Sequence, residues 1–260
     1  MNASNNSSSK DYSNCYVAFL DILGFKTLAR VNSHEHLKVI YQKFRDVIEH
    51  GLSNGKYVLF DVGMEKSIGP DIRQAKVNSL IVSDSILIWT DDNSPESFEN
   101  IVKAVQSLLA FSVIDGIPLR GAIAIGSFTL ALSQWPSHAH NFQHSLYGRA
   151  IVEAAETERQ QKWCGCEISA AAIECYKSIR LNRKSLFQKK VILQYTIPKE
   201  PDTPDAVGYV IDWVNHPEVA MNAEAITGAF NPPVVPEPKE WEKIKIKLEN
   251  TLKFLDAVKH

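Results

Sequence analysis

Two aspartates beside apolar segments are the residues of this sequence best suited to chemistry. Asp21 follows the apolar run CYVAFL within the stretch FLDILGFK, and Asp84 separates two apolar runs in LIVSDSILIW. Two carboxylates that meet at one site repel each other, which favours a shared divalent cation. Hard oxygen ligands select Mg²⁺ or Mn²⁺, and the backbone carbonyl of Ile22 is a further candidate ligand. Turn chemistry alone also explains an aspartate between two strands, so the prediction of a metal site depends on the pair.

The residues that follow Asp21 are candidates for binding a phosphate group. Gly24 and Phe25 stand where a helix is expected to begin, and backbone N–H groups at such a position point toward anions. Lys26 is a weaker candidate, because an ordinary surface lysine explains it equally well. This stretch therefore predicts a substrate that carries phosphate next to the metal.

The two aspartates lie 63 positions apart (84 − 21), so the fold must bring them together. Apolar periodicity predicts a strand, a helix, two strands, a further strand after a tight turn at Ser83-Asp84, a second helix and one more strand. These elements span about 15–21, 26–50, 56–62, 77–81, 85–90, 95–114 and 117–126. A variable insertion is expected at 127–144, followed by a helix that begins at Gly148.

The core order β-α-β-β-α-β predicts an α+β fold with a ferredoxin-like, palm-type antiparallel sheet that helices cover on one side. In such a sheet the first strand lies beside the hairpin. That arrangement would place Asp21 and Asp84 on one edge. Extra strands and a charged terminal helix are expected after this core.

Composition excludes several classes of partner. The 260 residues include 28 basic and 30 acidic side chains, a net charge of −2, so no global field favours nucleic acid or a membrane surface. No apolar run approaches the roughly 20 residues of a membrane-spanning helix, and the polar N-terminus lacks the apolar segment of a signal peptide. We expect a cytoplasmic protein with no nucleic-acid and no membrane partner.

Five segments in sequence order resemble the core motifs of a known enzyme family. The segments are FLDILGFK, VSDSILIW, PLRGAIAIG, LYGRAIVEAAETE and CEIS. Together they resemble the class III nucleotidyl cyclases, and more closely the pyrimidine cyclases of bacterial Pycsar antiphage systems. The resemblance covers about residues 15–178. It implies that Asp21 and Asp84 bind the metal and that Ile22 contributes its carbonyl.

The resemblance also implies a reaction and an assembly. The 3′-oxygen of CTP or UTP would join its own α-phosphate, releasing pyrophosphate and a 3′,5′-cyclic monophosphate that acts as a second messenger in antiphage immunity. Two Mg²⁺ or Mn²⁺ ions suit this in-line displacement. Family active sites lie between head-to-tail protomers, which implies a homodimer.

This chain departs from the conventional family pattern at four positions. The Asn and Arg positions of the helix after the YG pair hold Val152 and Glu156, and the purine-reading Lys and Asp positions hold Leu80 and Ser145. These changes weigh against an ordinary adenylate cyclase and less against a pyrimidine cyclase, whose base pocket must differ.

A cation must still neutralise the charge that develops on the phosphates. Arg120 is the first candidate for this catalytic role and Arg149 the second. The acidic residues Glu153, Glu156 and Glu158 are interpreted as the solvated side of an amphipathic helix.

The chain is expected to divide into three parts. Residues 1–13 are polar and low in complexity, which predicts a disordered tail. Residues 14–215 would form the cyclase catalytic domain, with its motifs at 15–178. Residues 216–260 would form a C-terminal extension with a proline-rich joint and a terminal helix, to which no role is assigned.

Two other functions remain open. A degenerate cyclase fold could serve as a nucleotide-binding or dimerisation module, because the Asn and Arg residues are missing. FLDILG also resembles the opening motif of haloacid-dehalogenase-type phosphatases, with Asp21 as nucleophile and Asp91 and Asp92 as magnesium ligands. Those enzymes build a parallel sheet, and no long βαβ series is evident here.

Overall fold

A computed structural model describes residues 6–53, 55–62, 65–134, 142–179, 186–231 and 237–259. Its strands are β1 (Asn6–Ile22), β2 (Tyr57–Val62), β3 (Glu65–Pro70), β4 (Asn78–Val82), β5 (Ser85–Trp89), β6 (Leu119–Gln134), β7 (Phe142–Tyr147), β8 (Gly165–Ile168), β9 (Ile192–Ile197) and β10 (Ala206–Ile211). Its helices are α1 (Phe25–Val31), α2 (His34–Leu52), α3 (Pro95–Ile114), α4 (Arg149–Gln160), α5 (Ala170–Ile179), α6 (Ala223–Ala229) and α7 (Pro238–Lys259).

The predicted α+β architecture is confirmed. The main sheet has the order β4-β5-β1-β6-β8-β10-β9, and β7 pairs with β6. Every pairing in it is antiparallel except that of β6 with β8. The elements β1, α2, β4, β5, α3 and β6 give the expected β-α-β-β-α-β order. Between α2 and β4 the chain adds a separate two-stranded sheet of β2 and β3.

Helices cover both faces of the main sheet, so the prediction that they cover one side only is wrong. The large core cluster lies on one face, where Leu20 and Ile22 of β1 meet buried residues of α2 and α3. A smaller cluster around Val17 and Trp89 lies on the other face and includes Ala150 of α4. Successive side chains of a strand point to opposite faces, so Asp21 belongs to the second face, beside α4.

Helix α3 forms the centre of the larger core. Ser94 caps it by accepting a hydrogen bond from the Ser97 backbone N–H, and Pro95 occupies its first turn. The helix covers the predicted range 95–114. Among the described residues it is the one helix long and apolar enough to cross a membrane. Of its most apolar stretch, 61% is buried inside the fold, which is typical of a core helix.

The predicted disordered tail is wrong from residue 6 onward. Strand β1 begins at Asn6, and its residues 6–12 pair with the second half of β6, which runs to Gln134 into the predicted insertion. The register shifts between Tyr12 and Cys15. The Tyr12 ring stacks on Phe128, with centroids 4.6 Å apart. Backbone pairing along a long partner strand thus orders a polar segment that has no apolar pattern of its own. Residues 1–5 and 135–141 lie outside the described residues.

Helix α7 packs against the main body of the fold. Phe254 is fully buried and belongs to the large core cluster. Its ring contacts Trp163, with centroids 4.7 Å apart. Thr251 Oγ1 accepts a hydrogen bond from the Cys164 backbone N–H at 2.9 Å. The C-terminal helix therefore shares the core of the preceding residues.

Candidate active site

The sheet brings Asp21 next to the turn that carries Asp84. Asp21 is the penultimate residue of β1 and pairs with Ser85 of β5 on one side and Arg120 of β6 on the other. Ser85 Oγ donates a hydrogen bond to Asp21 Oδ1 at 2.9 Å. The Ile22 N–H donates to the Asp84 carbonyl at 3.1 Å. Antiparallel pairing thus closes the 63-position gap between the aspartates.

The turn itself explains where Asp84 sits. Strands β4 and β5 are joined by two residues, and the first, Ser83, has the left-handed φ of 56°. Such backbone angles match the twist of a tight hairpin. The turn holds Asp84 half-buried beside the end of β1. The predicted turn at these two residues is therefore confirmed.

The Asp21 carboxylate is an unusual acid. Its pKa is raised to about 6, mainly by burial and in addition by the charges of Glu158 and Asp84. The hydrogen bond from Ser85 and the charge of Arg120 act in the opposite direction. Asp84 therefore lies close enough to repel Asp21 electrostatically, which is the relation that the metal-site prediction requires.

The β1–α1 turn has the predicted geometry around Gly24. Gly24 has a φ of 79° and precedes helix α1, and its carbonyl accepts hydrogen bonds from the Thr27 and Leu28 N–H groups. Only glycine adopts such a left-handed angle without strain. Phe25 packs edge-on against Tyr41, with centroids 5.6 Å apart.

Lys26 is exposed and has no ion pair with the described residues, so a role in substrate binding stays a prediction.

Arg120 forms a buried ion pair that the sequence did not reveal. Its Nε donates to Glu158 Oε1 at 2.5 Å and its Nη1 donates to the Gln161 carbonyl at 2.6 Å. The two charged side chains are only 11% and 5% exposed. Gln161 is itself anchored, because its Nε2 donates to the Gly121 carbonyl at 2.8 Å. The guanidinium is therefore fixed on the same face of the sheet as Asp21.

The interpretation of Glu158 as a solvated residue is wrong. Glu158 shares the buried face of α4 with Ala150 and Ala154, since positions four apart lie on one side of a helix. The small residues at i−4 and i−8 were the signal that could have identified it. Glu156 is exposed, as expected, and Glu153 is half-buried.

Arg149 lies at the first residue of α4 and is exposed. The preceding Gly148 has a φ of 152°, and a Cβ there would lie 2.4 Å from the Phe128 Cα. That glycine is thus required for α4 to start close against β6. Among the described residues no hydrogen bond or ion pair joins Arg149 to the Asp21 region.

A second cation near this edge comes from helix α7. Lys247 is half-buried. The pKa of its ammonium is lowered to about 8, mainly by burial and in addition by the charges of Arg120 and Lys162, while Glu200 and Glu158 oppose the shift. No sequence motif marked Lys247, because its position depends on how the C-terminal helix packs.

The donor set suits a hard divalent cation. Asp21, Asp84 and the Ile22 carbonyl offer oxygen ligands, and the mutual repulsion of the carboxylates is what a cation would relieve. The described residues contain no cluster of three or more His, Cys, Asp and Glu side chains arranged for a metal. Mg²⁺ typically needs only one or two carboxylates, with waters and substrate phosphates completing its shell. The residues present therefore fit Mg²⁺ or Mn²⁺.

The structure does not bring together the three aspartates that the phosphatase interpretation requires. Asp21 pairs with the first residue of β5, whereas Asp91 and Asp92 follow its far end. Asp92 accepts hydrogen bonds from Ser94 and Ser97 at the start of α3. Strand β1 also has antiparallel neighbours on both sides, not the parallel sheet of that class.

Several solved structures resemble this fold. The catalytic core of a rhodopsin-guanylyl cyclase with converted specificity, in complex with ATPalphaS, has 13% identity and a TM-score of 0.49, covering 78% of this chain and 97% of that one. The adenylyl cyclase CyaB from P. aeruginosa has 15% identity and a TM-score of 0.47, with 79% and 96% covered.

The guanylate cyclase domain of RhGC from Catenaria anguillulae, in complex with GTP, has 13% identity and a TM-score of 0.46, with 78% and 98% covered. No protein-family model matches the chain, and no curated protein matches it in sequence. At these identities and TM-scores the likeness assigns no function, which has to be inferred from the residues of this chain.

Proposed function

We propose that this protein is a nucleotidyl cyclase of the pyrimidine type, which converts CTP or UTP into the 3′,5′-cyclic monophosphate and pyrophosphate. The observation that carries the proposal is the meeting of Asp21 and Asp84 at the end of β1, where the charge of Asp84 contributes to the raised pKa of Asp21. Two mutually repelling carboxylates at a strand end are costly without a cation. A bound metal ion would offset this repulsion, and such an ion can take part in a reaction at a phosphate group.

In this proposal the chain binds and orients, and needs no side-chain nucleophile. Asp21, Asp84 and the Ile22 carbonyl would hold Mg²⁺ or Mn²⁺, which would lower the pKa of the attacking hydroxyl and neutralise phosphate charge. Gly24, Phe25 and Lys26 form the turn beside the phosphates. Arg120 is the candidate cation next to Asp21, and its partner Glu158 offsets its charge.

The pyrimidine specificity is supported by the residues at the base-reading positions. Leu80 and Ser145 stand where the conventional family has Lys and Asp to read a purine. Leu80 is half-buried at the edge of the smaller core cluster, and Ser145 is exposed on β7. Neither side chain is charged, so a purine base would lack the contacts that Lys and Asp make to it in the conventional family.

A homodimer is supported by an apolar surface on the second face of the sheet. Tyr147 is 58% exposed and Val152 is 54% exposed, and both belong to the β7–α4 segment that also carries Arg149. In this proposal a second copy of the chain covers that surface in head-to-tail fashion and completes the active site. Arg149 would then face the substrate from the rim. A cytoplasmic role as producer of an antiphage second messenger follows from the sequence resemblance.

The test is turnover of each of the four ribonucleoside triphosphates with Mn²⁺ and with Mg²⁺, using the full chain. Cyclic CMP or cyclic UMP with stoichiometric pyrophosphate is the expected result. Turnover of ATP or GTP alone would contradict the proposed pyrimidine specificity and indicate a purine specificity. Orthophosphate as the only product would exclude a cyclase.

A second candidate is a nucleotide-binding module without turnover. It is favoured by Val152 and Glu156, which are both exposed and stand in place of the family Asn and Arg. Glu156 carries the wrong charge to stabilise a phosphate. Metal-dependent binding of a triphosphate with no product from any of the four nucleotides would favour this candidate over the cyclase.

A further inference from the structure

A cavity opens between the β1–α1 turn and the C-terminal segment. It has a volume of about 70 Å³, and its wall includes Gly24, Thr27, Pro118, Phe230 and Lys247. Gly24 is three positions beyond Asp21 and belongs to the turn proposed to bind phosphate, whereas Asp21 and Asp84 do not line the cavity. Of the described residues that line it, Lys247 is the one that carries a charge.

Lys247 is held in an apolar setting by the helix that carries it. Ile244, Thr251 and Phe254 lie three to seven positions away on the inner face of α7, and Lys247 shares that face. Its backbone carbonyl accepts a hydrogen bond from Thr251 Oγ1 at 2.7 Å. Its ammonium makes no hydrogen bond and no ion pair with any residue that the structure describes. A half-buried ammonium without a partner is costly.

The charged neighbours of Lys247 are paired with one another. Arg120 and Lys162 are its cationic neighbours, and Glu158 and Glu200 are its anionic ones. Arg120 is paired with Glu158, and Lys162 with Glu200. Each of the other two cations thus has a carboxylate partner among the described residues, whereas Lys247 has none.

The cavity wall strengthens any ion pair that Lys247 forms with a ligand. Phe230, Pro118 and Ile244 contribute apolar surface next to Lys247. A charge pair interacts more strongly where the local dielectric constant is low. An anionic group that extends past Gly24 into the cavity would therefore be attracted to this ammonium.

We infer that Lys247 binds the terminal phosphates of the substrate triphosphate and of the released pyrophosphate, so that helix α7 forms part of the active site. This inference rests on the proposed cyclase function. In this role Lys247 increases the binding affinity of a longer polyphosphate more than that of a shorter one.

The test compares two lysines of one helix in the full chain. Lys247→Met removes the charge and keeps an unbranched apolar side chain of similar length, whereas Lys253→Met is the matched control because Lys253 is exposed on α7. Inorganic tripolyphosphate with Mn²⁺ is titrated calorimetrically into each protein. Steady-state kinetics with the preferred nucleotide and thermal unfolding are measured in parallel.

We expect Lys247→Met to weaken tripolyphosphate binding and to raise KM by about tenfold or more, because a charge-assisted hydrogen bond is lost. Its kcat should change less than its KM, and its Tm should not fall. Lys247→Arg should recover part of the affinity. Lys253→Met should behave like the unchanged protein.

Two outcomes overturn the inference. One is equal affinity of the unchanged protein and Lys247→Met for tripolyphosphate, and the other is no measurable binding to the unchanged protein. If binding depends on Lys247 but no nucleotide is cyclised, the anion site stands and the proposed cyclase function fails. If cyclisation occurs with an unchanged KM in Lys247→Met, the function stands and the inference fails.

Discussion

The two regions that supply charged groups to the end of β1 differ in how they do so. The strand-end region carries Asp21, Asp84 and Arg120 in short motifs, and neighbouring strands bring them together by register. The C-terminal region carries Lys247 in a helix without a motif, and this lysine arrives through the packing of Phe254 and Thr251. Short sequence motifs thus identify the residues of the strand-end region, whereas the position of Lys247 depends on packing between residues far apart in the chain.

This difference predicts where substitutions act. A change in the strand-end region should remove turnover because it alters metal binding. A change at Lys247 should reduce affinity but leave the metal site in place. A change in the ion pair of Arg120 with Glu158 should affect both the fold and the site, since that pair joins the sheet to α4.

The largest expected effect is on turnover in Asp21→Asn and Asp84→Asn. Loss of one metal ligand removes several kcal/mol of transition-state stabilisation, so each variant should lose about a thousandfold or more in kcat. Product formation with Mn²⁺ is the measurement, and Asp256→Asn on the exposed side of α7 is the control. Near-normal turnover in either site variant would refute the metal assignment.

A large effect on stability is expected in Glu158→Gln. The change leaves Arg120 buried without its partner charge, which typically costs about 3 to 5 kcal/mol in the free energy of unfolding. Denaturant unfolding measures it. The exposed pair of Lys38 with Glu35 is the control, because Glu35→Gln should cost about 1 kcal/mol or less.

The double variant Arg120→Met with Glu158→Gln sharpens this result. It removes both charges, so it should be more stable than the sum of the single losses implies. Additive losses would mean that the two side chains do not act as a pair.

A pH-dependent effect is expected from Asp21 in the absence of metal. Its pKa is about 6 in the folded protein, against an ordinary value of 3.8 for an aspartate, so the ionised carboxylate destabilises the fold. The penalty is absent below pH 3.8, grows as the pH rises to 6, and is fully present above that. Asp21→Asn should therefore have the higher Tm at pH 7.5, and the difference should shrink toward pH 4.

Added Mn²⁺ should reverse that order, because the ion stabilises only the protein that retains the carboxylate. The gain in Tm with Mn²⁺ should fall as the pH drops below 6, where protons compete for Asp21. A gain that is equal in Asp21→Asn and the unchanged protein would place the ion elsewhere.

The smallest effect is expected from Lys247→Met on stability. The pKa of this lysine falls from 10.5 to about 8 in the folded protein, so the charged form costs stability below pH 8 and the cost disappears as the pH rises toward 10.5. Removing the charge should raise the Tm at pH 7 and leave it unchanged near pH 10.5. A lower Tm at pH 7 would indicate that the lysine mainly supports packing.

The sequence by itself determined the elements whose formation depends on near neighbours. The strand that ends at Asp21, the turn at Ser83-Asp84 and the cap at Ser94 follow from alternation, turn chemistry and side-chain hydrogen bonding, all of which act over a few residues. The position of the first strand beside the hairpin could also be predicted, since a β-α-β-β-α-β chain has few ways to bury its apolar faces.

Only the tertiary structure decided the rest. Asn6 to Tyr12 form a strand because β6 offers a partner for their backbone, and Glu158 is buried because Arg120 lies opposite it. Lys247 lies near Arg120 because aromatic packing fixes a helix that starts more than 100 positions after β6 begins. In each case the deciding interaction joins residues far apart in the chain, and a local pattern carries no information about such a partner.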